Sequence, residues 1–375
     1  MASPDISMLP SLQSWPFNAN EGHRTDGSIL DNASAIFTSS GTAALALALG
    51  RIEKIRGSSV LLPAYNCLAL IEATQIVGAN PVFYRTARDL TIETEHLVSV
   101  ITPNTRAIVI PHFFGRTQTV ASLRDHPQLR SVTFIEDCAH AWFGGTPAVP
   151  VGSAGDYSIA SCPKFFPVLS GGILASSKQD LSGFALRQPP VLVDLRQAAN
   201  LLADGARHGS RNVVGKSLAT VQRARKTVHE SEAVETSPTA RGFKYLGTDD
   251  LALLATRPTQ WIVRHTSASY ISARRVSRYQ QVAAEVRRCT RARLLWKDIP
   301  SVAPYVVPVE LLHPSVDYPR LRSMGLRLYR WDEATRGVCE HADFLADALV
   351  QLPCHQSLTD LETERLCEAL RAVLS

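Results

Sequence analysis

The chain has 375 residues, 45% of them hydrophobic, and a formal net charge of +5, enough for one large core and a smaller second one. Its arginines are scattered instead of forming an aromatic-interleaved stripe, which argues against a nucleic-acid binder, and no apolar run of about 18 residues is present to span a membrane. Seven cysteines without a C-x-x-C pair argue against a disulfide framework or a zinc site, and with no leader-like pattern at the start the expected location is the cytoplasm. Residues 1–30, rich in Pro, Ser, Asn and Gly with isolated Trp15 and Phe17, read as an arm that packs on the body or on a partner subunit. Residues 34–37 read as a strand, and Thr38-Ser39-Ser40-Gly41-Thr42 leads into 43–49, whose alanines and leucines dictate helix. Small hydroxyls and a glycine at a helix start leave N–H groups and the positive dipole end facing the loop. That suits a phosphate dianion, and equally an ordinary N-cap.

Strand 59–62, loop 63–67, helix 68–77 and strand 81–84 make a βαβ unit. A helix near 93–101, a strand over 106–110 and helical residues around 120–129 continue the alternation, which implies a mostly parallel sheet. Strand 132–135 runs directly into Glu136-Asp137, so a carboxylate arrives at the C-terminal end of a strand, where open α/β sheets bind ligands. The stretch Gly155-Asp156-Tyr157-Ser158-Ile159-Ala160-Ser161-Cys162-Pro163-Lys164 then places a lysine between a buried small-residue strand and a turn ending in Gly171-Gly172, with 173–175 as a further strand. Enclosed by apolar neighbours, that amine should lose proton affinity and become nucleophilic, the chemistry of a Schiff-base lysine. The bland alternative is a strand-end lysine that snorkels to solvent.

Three strings arrive in a telling order: Glu136-Asp137-x-Ala139-x-Ala141, then Gly152-x-x-Gly155-Asp156, then Lys164 ahead of Gly171-Gly172. Together they resemble the fold type I pyridoxal-phosphate (PLP) enzymes, and more narrowly the DegT/DnrJ/EryC1/StrS family of aminotransferases. The resemblance implies an α/β PLP-transferase fold, a mostly parallel central sheet flanked by helices, with a smaller α+β C-terminal domain. It divides the chain into an arm (1–30), a large PLP-binding domain (31–265) and a small domain (266–375). It implies that Lys164 carries the cofactor, that Asp137 faces the pyridinium nitrogen, and that Gly41 and Thr42 hold the phosphate with Ser158 or Ser161. The residue stacked on the ring stays open among Tyr65, His140 and Trp142, because the usual aromatic slot holds Cys67. Pro111-His112-Phe113-Phe114-Gly115 resembles the family's His-x-x-Gly turn, with His112 near the cofactor or structural.

The implied activity is transfer of an amino group from an amino acid, glutamate first, to a keto sugar, nucleotide-linked, in polysaccharide or secondary-metabolite biosynthesis. A homodimer with active sites at its interface is implied too, and no metal. Retention of Lys164 favours transamination over the family's dehydrating branch, where histidine replaces the lysine. The alternatives are a PLP enzyme of another reaction class, such as an elimination, and a non-catalytic relative.

Between 178 and 247 the pattern weakens. Residues 207–241 are polar and charged, and only Gly242-Phe243-Lys244-Tyr245 bears a partial likeness to the family's cross-subunit loop. Residues 267–288 read as a long amphipathic helix, where Arg274-Arg275-x-x-x-Tyr279 resembles the family's helix into the small domain. Elements at 305–309, 319–324 and 326–331 follow without strict alternation. Leu352-Pro353-Cys354-His355-Gln356-Ser357-Leu358 resembles the family's closing string, with His355 either near the site or structural. Thr359 and Glu362 form a capping box that opens the last helix, to about Leu374.

Overall fold

Short apolar strands alternating with helices dictate a sheet covered on both faces, and the computed structural model of the chain has that architecture; it describes residues 6–12, 27–146, 148–208, 246, 248–298, 303–331 and 335–375. The strands β1 (Ser34–Thr38), β2 (Ser59–Pro63), β3 (Asn80–Tyr84), β4 (Thr105–Pro111), β5 (Thr133–Asp137), β6 (Tyr157–Ser161) and β7 (Gly172–Ser176) form one seven-stranded sheet in the order β1-β7-β6-β5-β4-β2-β3. From β3 to β6 the pairing is parallel, and β7 alone runs antiparallel to β6 and to β1. The C-terminal ends of β1, β2, β4, β5 and β6 therefore open on one edge. A single topological fact thus gathers residues spread over more than a hundred positions of sequence.

The helices that follow these strands are α1 (Gly41–Gly50), α2 (Leu68–Ile76), α3 (Thr94–Ser99) and α4 (Val120–Arg124). Strand alternation sorts the two layers. Val60, Leu62, Val109 and Ile135 pack with Leu45 and Leu49 of α1 and with Leu70 of α2. Their neighbours Leu61, Ile108, Ile110 and Phe134 pack on the other side with Leu97 of α3 and with Val120 and Leu123 of α4. Further on lie α5 (Val191–His208), α6 (Arg257–His265) and α7 (Ala268–Val286).

A second sheet is antiparallel, in the order β10-β9-β8, built from β8 (Ala292–Leu294), β9 (Val306–Leu311) and β10 (Leu349–Pro353), and it is accompanied by α8 (Pro314–Ser323), α9 (Glu340–Ala348) and α10 (Asp360–Leu374). Val307, Val309, Val350 and Leu352 pack against Tyr279, Val282 and Val286 of α7 and Leu366 and Leu370 of α10. The alternate residues Val306 and Leu349 belong to the core shared with the large sheet's edge, and the same face also carries the buried polar side chains of Glu310 and Gln351. Ser267 caps α7, accepting the Tyr270 N–H at 3.3 Å, and the Thr359–Glu362 capping box opens α10.

The arm expectation extends to residues 6–12: Ile6 bridges to Leu326, and the Ser11 N–H donates to Ser357 Oγ. Trp15, Phe17 and residues 209–245, with the Gly242–Tyr245 likeness, lie outside the described residues. Residues 326–331 form no strand but two isolated bridges, Ile6 to Leu326 and Tyr329 to Gln351, while α8 spans the 319–324 stretch up to Ser323 and starts earlier, at Pro314, the first-turn position that tolerates proline. No helix among the described residues is long and apolar enough to cross a membrane.

Candidate active site

The strand ends converge on a cavity of about 600 Å³ lined by Gly41, Thr42, Asp137, His140, Ser161 and Lys164 among others, a size that suits a cofactor with part of a substrate. One wall is the start of α1. Ser40 is its N-cap, accepting the Ala43 N–H at 3.0 Å, and the first-turn N–H groups of Gly41 and Thr42 lie ahead of the intrahelical ladder. A methyl group on Gly41 would stand 3.2 Å from both the Ala160 carbonyl oxygen and Ser161 Cβ. Glycine thus lets the helix start come close to the end of β6.

Alternation along β6 decides between the two serines. Ile159 and Ser161 face the cavity, whereas Ser158 points to the opposite face, fully buried, its hydroxyl directed at the Ala175 carbonyl at 3.4 Å. The Ser158 alternative is therefore corrected, since a two-residue period puts 158 and 161 on opposite sides of the sheet.

Asp137 ends β5, and its Oδ1 accepts the Ala139 N–H at 2.9 Å. Burial pushes its carboxyl up, against the pull of the Lys164 charge, the Ala139 hydrogen bond and His112. Lys164 closes a short turn, Cys162–Lys164, directly after β6. Its Nζ lies 5.5 Å from the centre of the Tyr305 ring. A half-buried carboxylate and an amine thus face one cavity from adjacent strands.

His140 lines the cavity, its ring nearly parallel to Tyr305 (centroids 4.4 Å apart) and to Phe114 (5.2 Å). Burial and the Lys164 charge push its imidazole well down, so the ring is neutral. The backbone beneath it is strained: Phe114 sits at φ +55° next to Gly115 at φ +104°, a conformation that costs on the order of 1 kcal/mol for a non-glycine residue. This is the Pro111–Gly115 turn.

The other ring-stacking alternatives fall outside the cavity. Tyr65 is fully buried behind the wall, packed on Trp331 (4.9 Å) and Phe113 (6.0 Å), because Asn66 and Cys67, not Tyr65, turn toward the opening. Trp142 packs edge-on against Phe166 at 4.8 Å, within the core. Cys67 does line the cavity, its thiol pushed up by burial. Both Tyr65 and Trp142 are corrections: their side-chain directions are set by core packing.

His112 serves the scaffold. Its Nδ1 accepts the Gln118 N–H at 3.0 Å, which leaves the ring proton on Nε2, 2.8 Å from Glu136 Oε2. The second Glu136 oxygen accepts the Gly155 N–H at 2.5 Å. This buried strut fixes β5 one residue before Asp137. His355 is likewise tied, with Nε2 3.0 Å from the Ser7 carbonyl in the arm.

Sequence reasoning missed the far wall, made of Tyr305, Tyr329, Trp331 and Gln351. The aromatic cluster Tyr329-Arg330-Trp331 is the one signal that pointed there.

Residues 27–182 match the DegT/DnrJ/EryC1/StrS aminotransferase family, so the resemblance read from the motifs is borne out over the segment that supplies Thr42, Asp137, Ser161 and Lys164. Over 136 residues the chain is 35% identical to UDP-N-acetyl-3-dehydro-alpha-D-glucosamine 3-aminotransferase of Acidithiobacillus ferrooxidans, an alignment covering 36% of each protein. It therefore spans about a third of that relative's length. Among solved structures, Helicobacter pylori PseC, an aminotransferase involved in the biosynthesis of pseudoaminic acid, superposes with a TM-score of 0.64 at 14% identity, covering 99% of both chains. NtdA from Bacillus subtilis, with bound cofactor PMP, gives 0.60 at 18% identity, covering 92% of this chain and 74% of that one. At such identities the likeness establishes the fold, which is the expected mostly parallel α/β PLP-transferase architecture.

Proposed function

We propose, taking residues 27–182 as a segment of the DegT/DnrJ/EryC1/StrS aminotransferase family, that the chain is a PLP-dependent aminotransferase that moves an amino group from an amino acid, glutamate first, onto a keto sugar. The observation that carries this reading is the convergence of Lys164, Asp137 and the α1 N-terminus on one cavity.

The residues present fit the cofactor. The Gly41 and Thr42 N–H groups, with the Thr42 and Ser161 hydroxyls, make a donor set for a phosphate dianion at a positive dipole end, and the absence of a Cβ on Gly41 lets the helix start lie close to Ser161. Asp137 offers a carboxylate to a ring nitrogen, and a cation placed against it would favour its ionised form over the burial that opposes it. His140 lines the cavity with its ring held by stacking on Tyr305 and Phe114, and it is the one of the three aromatic candidates placed to border the cofactor ring. Lys164 is the amine that would hold the cofactor's aldehyde. When bound, PLP supplies an electron sink for the charge left on a substrate carbon that loses a proton. Lys164 Nζ is the group placed to take that proton and return it, as a general base and then a general acid. The Tyr305–Trp331 wall supplies aromatic surface over which a sugar ring would lie and helps keep water from the reacting carbon.

The finer reading is a nucleotide-linked keto sugar, in polysaccharide or secondary-metabolite biosynthesis, acted on by a cytoplasmic homodimer. Support for the homodimer comes from α5, where Val191, Leu192, Leu195 and Leu202 are each more than 60% exposed. An apolar strip of that kind marks an interface, and a second copy of this chain is the partner. Seven free thiols accord with a reducing compartment.

The test is the visible absorption of the purified protein with PLP, before and after glutamate, for the wild type and for Lys164→Ala. A cofactor band that depends on Lys164 and that glutamate converts to the aminated cofactor supports the reading. A Lys164-dependent band that no amino donor alters would move the protein to another PLP reaction class, and no such band would remove the catalytic reading.

A further inference from the structure

We infer that Arg275 is the positioning residue of Lys164: a buried guanidinium that ties the lysine's backbone to the segment carrying Tyr305 and so fixes where the amine stands against the cavity's aromatic wall. The inference rests on Lys164 being the reactive amine of the proposed function.

Arg275 lies on α7 and is fully buried. Its Nη2 donates to the Lys164 carbonyl at 2.6 Å, and Nη1 donates to the carbonyls of Pro304 and Tyr305, each at 3.0 Å. Nε donates to Gln356 Oε1 at 2.7 Å, and Gln356 Nε2 in turn donates to the Phe165 carbonyl at 2.6 Å. The guanidinium carbon stands 4.5 Å over the Phe165 ring. Three distant segments, the Lys164 turn, the entry to β9 and the loop after β10, therefore meet on one side chain.

Among the described residues the hydrogen-bond partners of Arg275 are carbonyl oxygens and an amide, with no carboxylate. Burying a cation without a counter-ion is costly, and the contrast with Arg278 is direct: one turn along α7, it pairs with Asp360 at 2.6 Å. Burial pulls the Arg275 guanidinium down to about 10, so it still carries its charge at neutral pH. A charge kept at that cost and directed at the backbone of one lysine has a use in holding that lysine. The turn itself is short, three residues whose Cys162 carbonyl accepts the Phe165 N–H at 3.1 Å and the Phe166 N–H at 2.9 Å, and the Lys164 carbonyl is left to Arg275. Only a planar fork reaches all three segments at once; a lysine ammonium is a single point on a flexible stem.

The experiment compares wild type, Arg275→Lys and Gln356→Ala, with far-UV circular dichroism and urea melts to establish folding. Lys164 in each protein is labelled without cofactor by a small amine-reactive reagent across a pH series, and the label is quantified by mass spectrometry of the Lys164 peptide. We expect the Lys164 labelling rate in Arg275→Lys to change by about threefold or more, with other lysines unaffected, and kcat to fall about tenfold while the donor KM stays within about threefold. Gln356→Ala, which keeps the guanidinium and loses the clamp on Phe165, should give a smaller change of the same sign, and it decides the matter if Arg275→Lys does not fold. A folded Arg275→Lys, or failing that Gln356→Ala, with the wild-type labelling profile overturns the inference even if activity falls. If the wild type forms no Lys164-dependent band with PLP while the labelling profile shifts in the variants, the proposed function fails and the positioning role stands.

Discussion

The Gly171-Gly172 turn offers the most direct test of how the site is built, through Gly172→Ala. Gly172 opens β7, in register with Thr38 of β1 and Ser161 of β6. A Cβ there would stand 2.3 Å from the Ser40 carbonyl carbon, 2.4 Å from its oxygen and 2.5 Å from the Gly41 nitrogen. Ordinary contact begins near 3.4 Å, so the first turn of α1 must retreat by about 1 Å or more, and the obstacle is backbone, which cannot swing aside as a side chain can. The retreat is resisted, because the Gly171 N–H donates to the Ser39 carbonyl at 2.9 Å and Ser40 caps α1. Overpacking of this kind costs about 1–3 kcal/mol, and a 1 Å displacement of a binding group costs on the order of a hundredfold in function. We expect urea titrations to show a loss of that size, and absorbance titrations to show PLP affinity reduced by a larger factor than the stability loss explains. Gly171→Ala is the control. At φ +117° it strains the backbone, and its Cβ meets Thr259 Cγ2 at 2.7 Å, a side chain of α6 and not the start of α1, so about 1–3 kcal/mol should be lost with less effect on cofactor affinity. Gly172→Ala at wild-type stability with unchanged PLP affinity would refute the claim that the glycine exists for this close approach.

Asp137→Asn keeps the shape and the means to accept the Ala139 N–H but removes the charge; we expect PLP to remain bound while single-turnover amino transfer from glutamate slows by about a hundredfold or more. For Glu136, burial pushes the carboxyl up, but the His112 hydrogen bond and charge with the Gly155 N–H outweigh it, and the net shift is downward. A depressed folded value means stability that is present above the unfolded value of about 4.3 and is lost as pH falls through the folded one. The unfolding free energy of Glu136→Gln from urea titration, lower by about 2 kcal/mol at neutral pH, should therefore change less than the wild type's as pH is taken below about 4. If the proposed homodimer forms through the exposed strip of α5, Leu195→Asp there should shift sedimentation from dimer toward monomer without changing the circular dichroism, and a monomeric wild type or an unaltered dimer in the variant would refute that interface.

What could be read from the sequence follows the range over which each feature is determined. Asp137 and Lys164 are legible because each is fixed by its own strand, a few residues long, and the parallel order of the sheet brings the strand ends together without further information. Ser161 over Ser158 was open to the same reasoning, since Ile159 and Ser161 share a face by period alone. Tyr65 was not: a loop motif places an aromatic near the site, but the direction of its ring depends on Phe113 and on Trp331, which lies far along the chain. Helix α5 escaped notice because its apolar residues 191, 192, 193 and 195 come nearly consecutively and point outward, which blurs the spacing a core-facing helix would show. The far wall escaped for the reason that makes Arg275 informative. Tyr305 and Gln356 are tied to the Lys164 backbone through hydrogen bonds on one arginine, and in the sequence that arginine is one of an Arg274-Arg275 pair on an amphipathic helix, where charge ordinarily means solvent. Its burial is the feature that separates the two arginines, and burial is a property of the assembled chain. A site whose chemistry is carried by strand-end motifs but whose alignment is carried by such a residue will always be legible in its reaction class before it is legible in its geometry.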